Sequence, residues 1–301
     1  MRWATFVAPG DTRGRAGLVV GDEIRAPAHA TDLLSLLGGD GSALHEAAAI
    51  AERAPDVVVP IAGTRLLAPI PRPPSVRDFY AFEQHVRTAR ERRGLEMEAD
   101  WYELPVFYFS NPASIIGDGA DVAMPVATRE LDFELEVAAV IGRAGRDLDA
   151  DQAAHHIAGY TVMNDWSARD IQRREMKLNL GPAKGKDFAT TLGPYLVTPD
   201  ELADATRGKA YDLTMTATVN GREYSRASLA GIYWSFGEMV AYASRGTTLQ
   251  PGDVIGSGTC GTGCILELSL VHGGAEYPWL QPGDEVTLSV DRLGTVTNRI
   301  V

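Results

Sequence analysis

The stretch LDFELEVAAVIG, residues 131–142, alternates in character. Leu131, Phe133, Leu135 and Val137 are apolar, and Asp132, Glu134 and Glu136 between them are acidic. A two-residue period is that of a β-strand, whose successive side chains point to opposite faces. Such a strand would carry three carboxylates on one face and an apolar row on the other. Carboxylates so close repel one another, and shielded from water their pKa values would rise. Either the acidic face is open to solvent, or a cation sits against it.

Outward from this strand most of the chain reads as β. GYTVMND, DLTMTATVNGREYSR, DVIGSG, CILELSL and EVTLSV are further candidate strands, and Asn220-Gly221 between alternating flanks predicts a tight hairpin. LQPGD occurs at 249–253 and again at 280–284, each time before a strand. The flanks differ, so it marks turns and not a repeat. Helices are expected over FEQHVRTARERRG, ended by Gly94, and over LDADQAAHHIAG, capped by Asp149 and stopped by Gly159. GIYWSFGEMVAYASRG is the longest amphipathic candidate. Strands and helices do not alternate regularly, which argues against a doubly wound parallel sheet and for a mixed, mostly β fold.

Before residue 69, short β segments surround two helical candidates, DLLSLLGG and SALHEAAAIAER. PIPRPPS, residues 69–75, has four prolines in seven and is stiff and non-helical. It marks the expected junction between a small β-rich N-terminal domain, 1–68, and a main domain, 69–301.

With 301 residues, 45% hydrophobic and 23% charged, the chain can bury an ordinary core. A net charge of −12 argues against nucleic-acid binding but permits a small anionic substrate. MRWATFVAPG lacks the apolar centre of a signal peptide, and no run approaches a membrane span. The two cysteines, Cys260 and Cys264, lack the second Cys or Cys/His pair of a zinc site. Reduced thiols and a cytoplasmic setting are expected, with no membrane partner.

Two glycine motifs fail on context. GSGTCG, 256–261, fits the dinucleotide pattern, whose use requires a helix directly after the glycines; the following CILELSL alternates like a strand. GPAKGKD, 181–187, is one residue short of a phosphate-binding loop, and Asp187 stands in place of its hydroxyl. The acidic strand fares better, because Mg²⁺, Mn²⁺ and Ca²⁺ favour carboxylate oxygens and Glu134 and Glu136 supply two. Asp165, ending the strand-like GYTVMN, can present a third, with Trp166 beside it as packing. RDFYAFEQHV places Asp78, Tyr80 and His85 around a helix start. His155 and His156 read as structural. The arginines of RTARERR read as a solvated helix face, or as a cap drawing in a doubly negative substrate.

Together RDFYAFEQH, LDFELEVAAVIG, NDWSARDIQ, GPAKGKDFATTLGPYLVTPDEL and GSGTCGTGCILEL resemble, in order, the fumarylacetoacetate hydrolase family, from about residue 70 onward. The resemblance implies a rolled, mixed β-sandwich catalytic domain, a homodimer, a divalent cation and a role in aromatic-compound breakdown. It implies Glu134, Glu136 and Asp165 as metal ligands with Asp78 as a further carboxylate, and His85 as the catalytic base oriented by Glu267. Arg169, Gln172 and Lys186 match polar groups around substrate and metal. Tyr80 and Thr259 match substrate contacts, and Thr190 lies in the matching F-x-T-T turn.

There are departures too. One extra residue separates NDWSARDIQ from GK, and Met176 replaces a substrate-contacting tyrosine. Thr88 breaks the His-x-x-Glu lid pair of the acylpyruvases, and Arg93 is only a nearby candidate for the substrate-binding arginine. The implied activity is metal-dependent hydrolysis of a C–C bond in a 1,3-dicarbonyl acid, fumarylacetoacetate- or acylpyruvate-like. The alternatives are decarboxylation, isomerisation or hydration of a 2-oxo-dienoate acid through an enolate. A non-catalytic metal-bound scaffold would have no use for His85, Glu267 and Lys186.

Overall fold

The computed structural model describes residues 1–28, 32–92 and 94–301; Arg93 therefore lies outside the described residues. The first part of the chain forms β1 (Arg2–Val7), β2 (Arg15–Val20), β3 (Glu23–Ala26), α1 (Ser42–Arg53), β4 (Val57–Pro60) and β5 (Arg65–Leu67). Then come β6 (Val76–Phe79), α2 (Glu83–Glu91), β7 (Phe107–Ser110), β8 (Ile115–Ile116), β9 (Asp121–Val122), β10 (Leu131–Asp132) and β11 (Leu135–Ile141). The middle of the chain forms α3 (Ala150–Ala154), β12 (Ile157–Asp165), β13 (Ser167–Ala168), α4 (Arg169–Met176) and β14 (Thr190–Val197). The rest is β15 (Thr206–Arg207), β16 (Ala210–Tyr211), β17 (Thr214–Val219), β18 (Arg222–Ser228) and α5 (Phe236–Ala243), then β19 (Val254–Gly256), α6 (Ile265–His272), β20 (Glu285–Val290) and β21 (Gly294–Ile300).

The fold is mixed and mostly β. Among the described residues a 12-stranded sheet runs β4-β3-β2-β1-β14-β12-β11-β19-β6-β7, with β5 on β1 and β8 on β14. A five-stranded sheet, β18-β17-β20-β21-β9, packs against it. The main core lies between the two, where Val137, Val162 and Val197 meet Met215, Leu288 and Val296. The N-terminal strands continue the large sheet: β1 pairs antiparallel with β14, Trp3 opposite Leu196. A second apolar cluster spans both parts, with Trp3, Leu18 and Ala51 beside Ala138, Met163 and Leu192.

Several local expectations hold for their stated reasons. Asn220 and Gly221 take φ of 51° and 77° in the β17–β18 hairpin. Asp149 caps α3 in a reciprocal capping box with Gln152, as Ser235 does for α5 with Glu238. Both LQPGD turns lead directly into strands, β19 and β20.

Others need correction. DLLSLLGG forms only a 3₁₀ turn at Leu34–Leu36, whereas SALHEAAAIAER is α1, which buries Leu44, Ala47, Ala48 and Ala51 on one stripe. The longest candidate, GIYWSFGEMVAYASRG, supplies only the eight residues of α5, against twelve in α1. Gly159 does not stop α3; it sits within β12, where a Cβ would stand 2.6 Å from the Val197 carbonyl oxygen. Thr190 opens β14 instead of lying in a turn. CILELSL is not a strand, and its residues from Ile265 onward are α6.

Sheet order positions the site. Asp165 ends β12, Glu136 lies on its neighbour β11, and Asp78 lies on β6. Between β11 and β6 runs β19, whose Gly256 pairs with both Ala138 and Asp78. A Cβ there would fall 2.3 Å from Asp78 Oδ1, so only glycine lets the carboxylates converge. Among the described residues no helix is long and apolar enough to cross a membrane.

Candidate metal centre and active site

The acidic face of residues 131–142 is buried: Asp132 and Glu136 are wholly inaccessible and Glu134 nearly so. The solvent-exposed reading is therefore excluded, and compensation comes from inside. The expected single strand breaks between β10 and β11, and this break separates the three acids. Asp132 turns toward α6, where it accepts the backbone N–H groups of Ile265 (2.7 Å) and Leu266 (3.0 Å). Glu134 and Glu136 join Asp78 and Asp165 instead, one carboxylate oxygen from each lying within 4.8 Å of all the others.

Two buried cations adjoin this cluster. Lys186 Nζ donates to Glu134 and to Asp165 Oδ2 (2.5 Å). Arg169 donates to Glu134 Oε1 (2.7 Å), to Asp132 Oδ2 (2.8 Å) and to Gln172 Oε1 (3.0 Å). Burial acts to raise the Glu134 carboxyl, but Arg169 and Lys186 outweigh it and hold it below its ordinary value. Burial, then the Asp165 charge, raises Asp78; burial, then Asp78 and Glu134, raises Glu136. Burial likewise raises Asp165, against the opposing pull of Lys186.

Four carboxylates and two cations leave the cluster short of positive charge. Glu136 Oε2 and Asp165 Oδ1 are buried and find no hydrogen-bond partner among the described residues. Orphaned carboxylate oxygens in a convergent set are the donors a hard divalent cation takes. The residues present therefore fit the expected Mg²⁺, Mn²⁺ or Ca²⁺, with Asp78, Glu134, Glu136 and Asp165 as the set that would hold it.

A cavity of about 530 Å³ opens onto this cluster. Asp78, Tyr80, His85, Glu134, Glu136, Arg169, Gln172, Lys186 and Thr259 all line it. Asp165 and Glu267 stand behind the wall. His85, buried on α2, has Nδ1 2.7 Å from Glu267 Oε2 on α6. Thr259 Oγ1 reaches Glu136 Oε1 at 3.4 Å, and the Gly258 N–H donates to Asp78 Oδ1 at 3.1 Å. The glycines of GSGTCG thus bring a loop against β6. Thr190 faces Asp165 across the β12–β14 pair.

Met176 lies at the cavity wall, as do Gly181 and Pro182 from the segment that carries the extra residue. Of the RTARERR arginines, Arg87 and Arg92 are exposed, while Arg90 lines the cavity and pairs with Glu98 at 2.6 Å. The solvated-face reading of that run holds for Arg87 and Arg92.

Tyr108 escaped the sequence reading. It lines the cavity from β7, its hydroxyl donates to Asp165 Oδ2, and the Lys186 ammonium lies 5.8 Å from its ring centre. Burial, then the Asp165 charge, keeps this phenol protonated by raising its pKa. Its surroundings, VFYFS, carry no charge and no alternation that could have marked it. Asn164, whose Oδ1 accepts the Glu134 N–H at 2.9 Å, was missed too.

Comparison with known proteins agrees with this architecture. Residues 75–301 match the model of the fumarylacetoacetate (FAA) hydrolase C-terminal domain. The chain belongs to the fumarylacetoacetate hydrolase family. It is 30% identical to the fumarylacetoacetase of Oryza sativa over 85% of this chain and 72% of that one. It is also 30% identical to the mitochondrial oxaloacetate tautomerase Fahd2a of Rattus norvegicus, covering all of this chain and 92% of the relative. Among solved structures, the 5-carboxymethyl-2-hydroxymuconate delta-isomerase of Mycobacterium smegmatis superposes with a TM-score of 0.72 at 28% identity, over 100% and 99% of the two chains. Hydrolases, tautomerases and isomerases thus share this fold and lie at similar distance from the chain.

Proposed function

We propose that this protein is a divalent-metal-dependent hydrolase that cleaves the C–C bond of a 1,3-dicarbonyl acid. The observation that carries the reading is the buried His85–Glu267 pair on the cavity wall beside the carboxylate cluster. Glu267 occupies Nδ1, which leaves Nε2 to take a proton from a water molecule attacking the substrate carbonyl. The carboxylate then stabilises the imidazolium that forms. A bound divalent cation would supply chelation of two substrate oxygens and withdraw charge from the carbonyl.

Breaking the C–C bond leaves an enolate, a poor leaving group. Lys186 is kept charged: burial acts to lower its pKa, but Asp165 and Glu134 outweigh this and raise it. Its ammonium stands at the cavity wall, where negative charge on the departing enolate develops. Arg169 and Gln172, joined at 3.0 Å, offer donors to the substrate acid group, and Tyr80 and Thr259 line the same cavity.

A second reading is tautomerisation or isomerisation of a 2-oxo acid, favoured by the match to the rat oxaloacetate tautomerase across this whole chain. It needs the same enolate stabilisation and a proton shuttle but no attacking water. Reaction in ¹⁸O-labelled water, with Mg²⁺ or Mn²⁺ and a panel of acylpyruvates and 2-oxo-dienoates, separates the two. Hydrolysis places label in the new carboxylate of one fragment, and His85→Ala suppresses that step while metal binding persists. A product of unchanged mass transfers the assignment to the second reading.

A further inference from the structure

Cys264 has no part in the hydrolytic reading, yet it stands against the site. It is buried, it is not in a disulfide, and it is the N-cap of α6, where Sγ accepts the Glu267 N–H at 3.4 Å. Its backbone pairs with that of Glu134 in an isolated antiparallel bridge, which holds the two side chains side by side. The sulfur, a ring nitrogen of His85 and a carboxylate oxygen of Glu134 all lie within 4.8 Å of one another.

We propose that His85, Glu134 and Cys264 form a second metal site, selective for thiophilic divalent cations such as Zn²⁺ or Cd²⁺, whose occupation inhibits the enzyme. The donor chemistry supports this. One sulfur, one imidazole nitrogen and one carboxylate suit zinc-class ions, whereas the four-carboxylate set suits hard ones. His85 is already prepared as a ligand. Its Nδ1 is held by the Glu267 carboxylate at 2.7 Å, so the ring is fixed with Nε2 to offer, the arrangement that orients metal-bound histidines. Bonds of roughly 2.0–2.3 Å to a tetrahedral ion put donors about 3.5 Å apart, so side-chain shifts of about an ångström close the site.

Charge also closes. Asp132, Arg169 and Glu134 are the charged groups that act most strongly on Cys264. A thiolate, Glu134 and Asp132 together offset the Arg169 guanidinium and a dication. As the metal–sulfur bond forms, the thiol proton leaves to solvent, and no oxidant or reductant is involved.

Two consequences follow for catalysis. A metal on Nε2 removes the atom that must take a proton from water, so the inhibitory part of the inference rests on the hydrolytic reading. Glu134 also belongs to the carboxylate set, so the soft ion weakens the hard site.

The test is titration of the full chain with Cd²⁺ in the presence of Mg²⁺, followed by the ultraviolet thiolate-to-metal charge-transfer band and by turnover. Parent protein and Cys260→Ser are expected to show the band; Cys264→Ser is expected to lack it. Serine is a good N-cap, so Cys264→Ser should keep its Mg²⁺-supported turnover and resist Cd²⁺. Glu267→Gln should weaken Cd²⁺ binding by roughly 10–100-fold on the same band, because the ring loses its carboxylate partner. A band that survives in Cys264→Ser, or is missing from Cys260→Ser, overturns the site. Equal inhibition of parent and Cys264→Ser overturns the inhibitory role alone. Because the band needs no substrate, the site is decided even if the hydrolytic reading fails.

Discussion

Glu136 shows how much one residue can be asked to do. Its Oε1 meets Thr259 and its Oε2 finds no hydrogen-bond partner among the described residues, although three other carboxylates crowd it. The side chain is therefore a liability without a cation and a ligand with one. Glu136→Gln keeps the shape and removes the charge. Its affinity for Mg²⁺ or Mn²⁺ should fall by more than about tenfold, read by calorimetry, since a charged oxygen donor is lost. The metal-free variant should melt higher than the metal-free parent, because like-charge repulsion in a buried site has been relieved. Unchanged affinity would remove Glu136 from the ligand set. At this scale the sequence was legible where charge interrupts an apolar strand, as at Glu134, Glu136 and Asp165. It was silent at Tyr108, because a tyrosine among phenylalanines reads as packing until its hydroxyl is seen on Asp165.

α6 shows how a local pattern is overruled at the scale of an element. CILELSL alternates as a strand should, and eight residues are too few to form a helix unaided. What makes it helical lies elsewhere in the chain. Asp132 takes the first two N–H groups, and Cys264 takes that of Glu267. The same contacts close this helix to a nucleotide, whose phosphate would need the N–H groups that Asp132 already occupies. The dinucleotide reading of GSGTCG is thus excluded for a different reason than a following strand. Asp132→Ala removes a helix anchor and leaves part of Arg169 unpaired in a buried place. It should cost about 3–5 kcal/mol in denaturant unfolding. Turnover should fall as well, because α6 carries Glu267 to His85. Stability within 1 kcal/mol of the parent, roughly the worth of an ordinary cap, would mean the helix does not depend on this anchor.

At the scale of the whole molecule, one sheet takes strands from both sides of the proline-rich stretch at 69–75. PIPRPPS suggested a junction because prolines interrupt regular structure, and composition offers no way to see hydrogen bonding across such a break. The structure pairs β1 with β14 and shares an apolar cluster between the two parts. No described residue of 1–68 lines the main cavity. We therefore propose that this region acts as a scaffold for the large sheet and carries no catalytic group. A chain beginning at Pro69 would bare the β14 edge and uncover Leu192, Leu196, Val140 and Met163, all buried now. Each such side chain contributes about 1.5–3 kcal/mol by its burial, and an uncovered apolar strand edge invites pairing with other chains. The shortened chain should melt lower and aggregate, and residues 1–68 supplied separately should restore solubility, metal binding and turnover together. If it instead folded well and held its metal, yet turned over nothing until the missing piece was returned, a catalytic contribution from residues 1–68 would have to be sought.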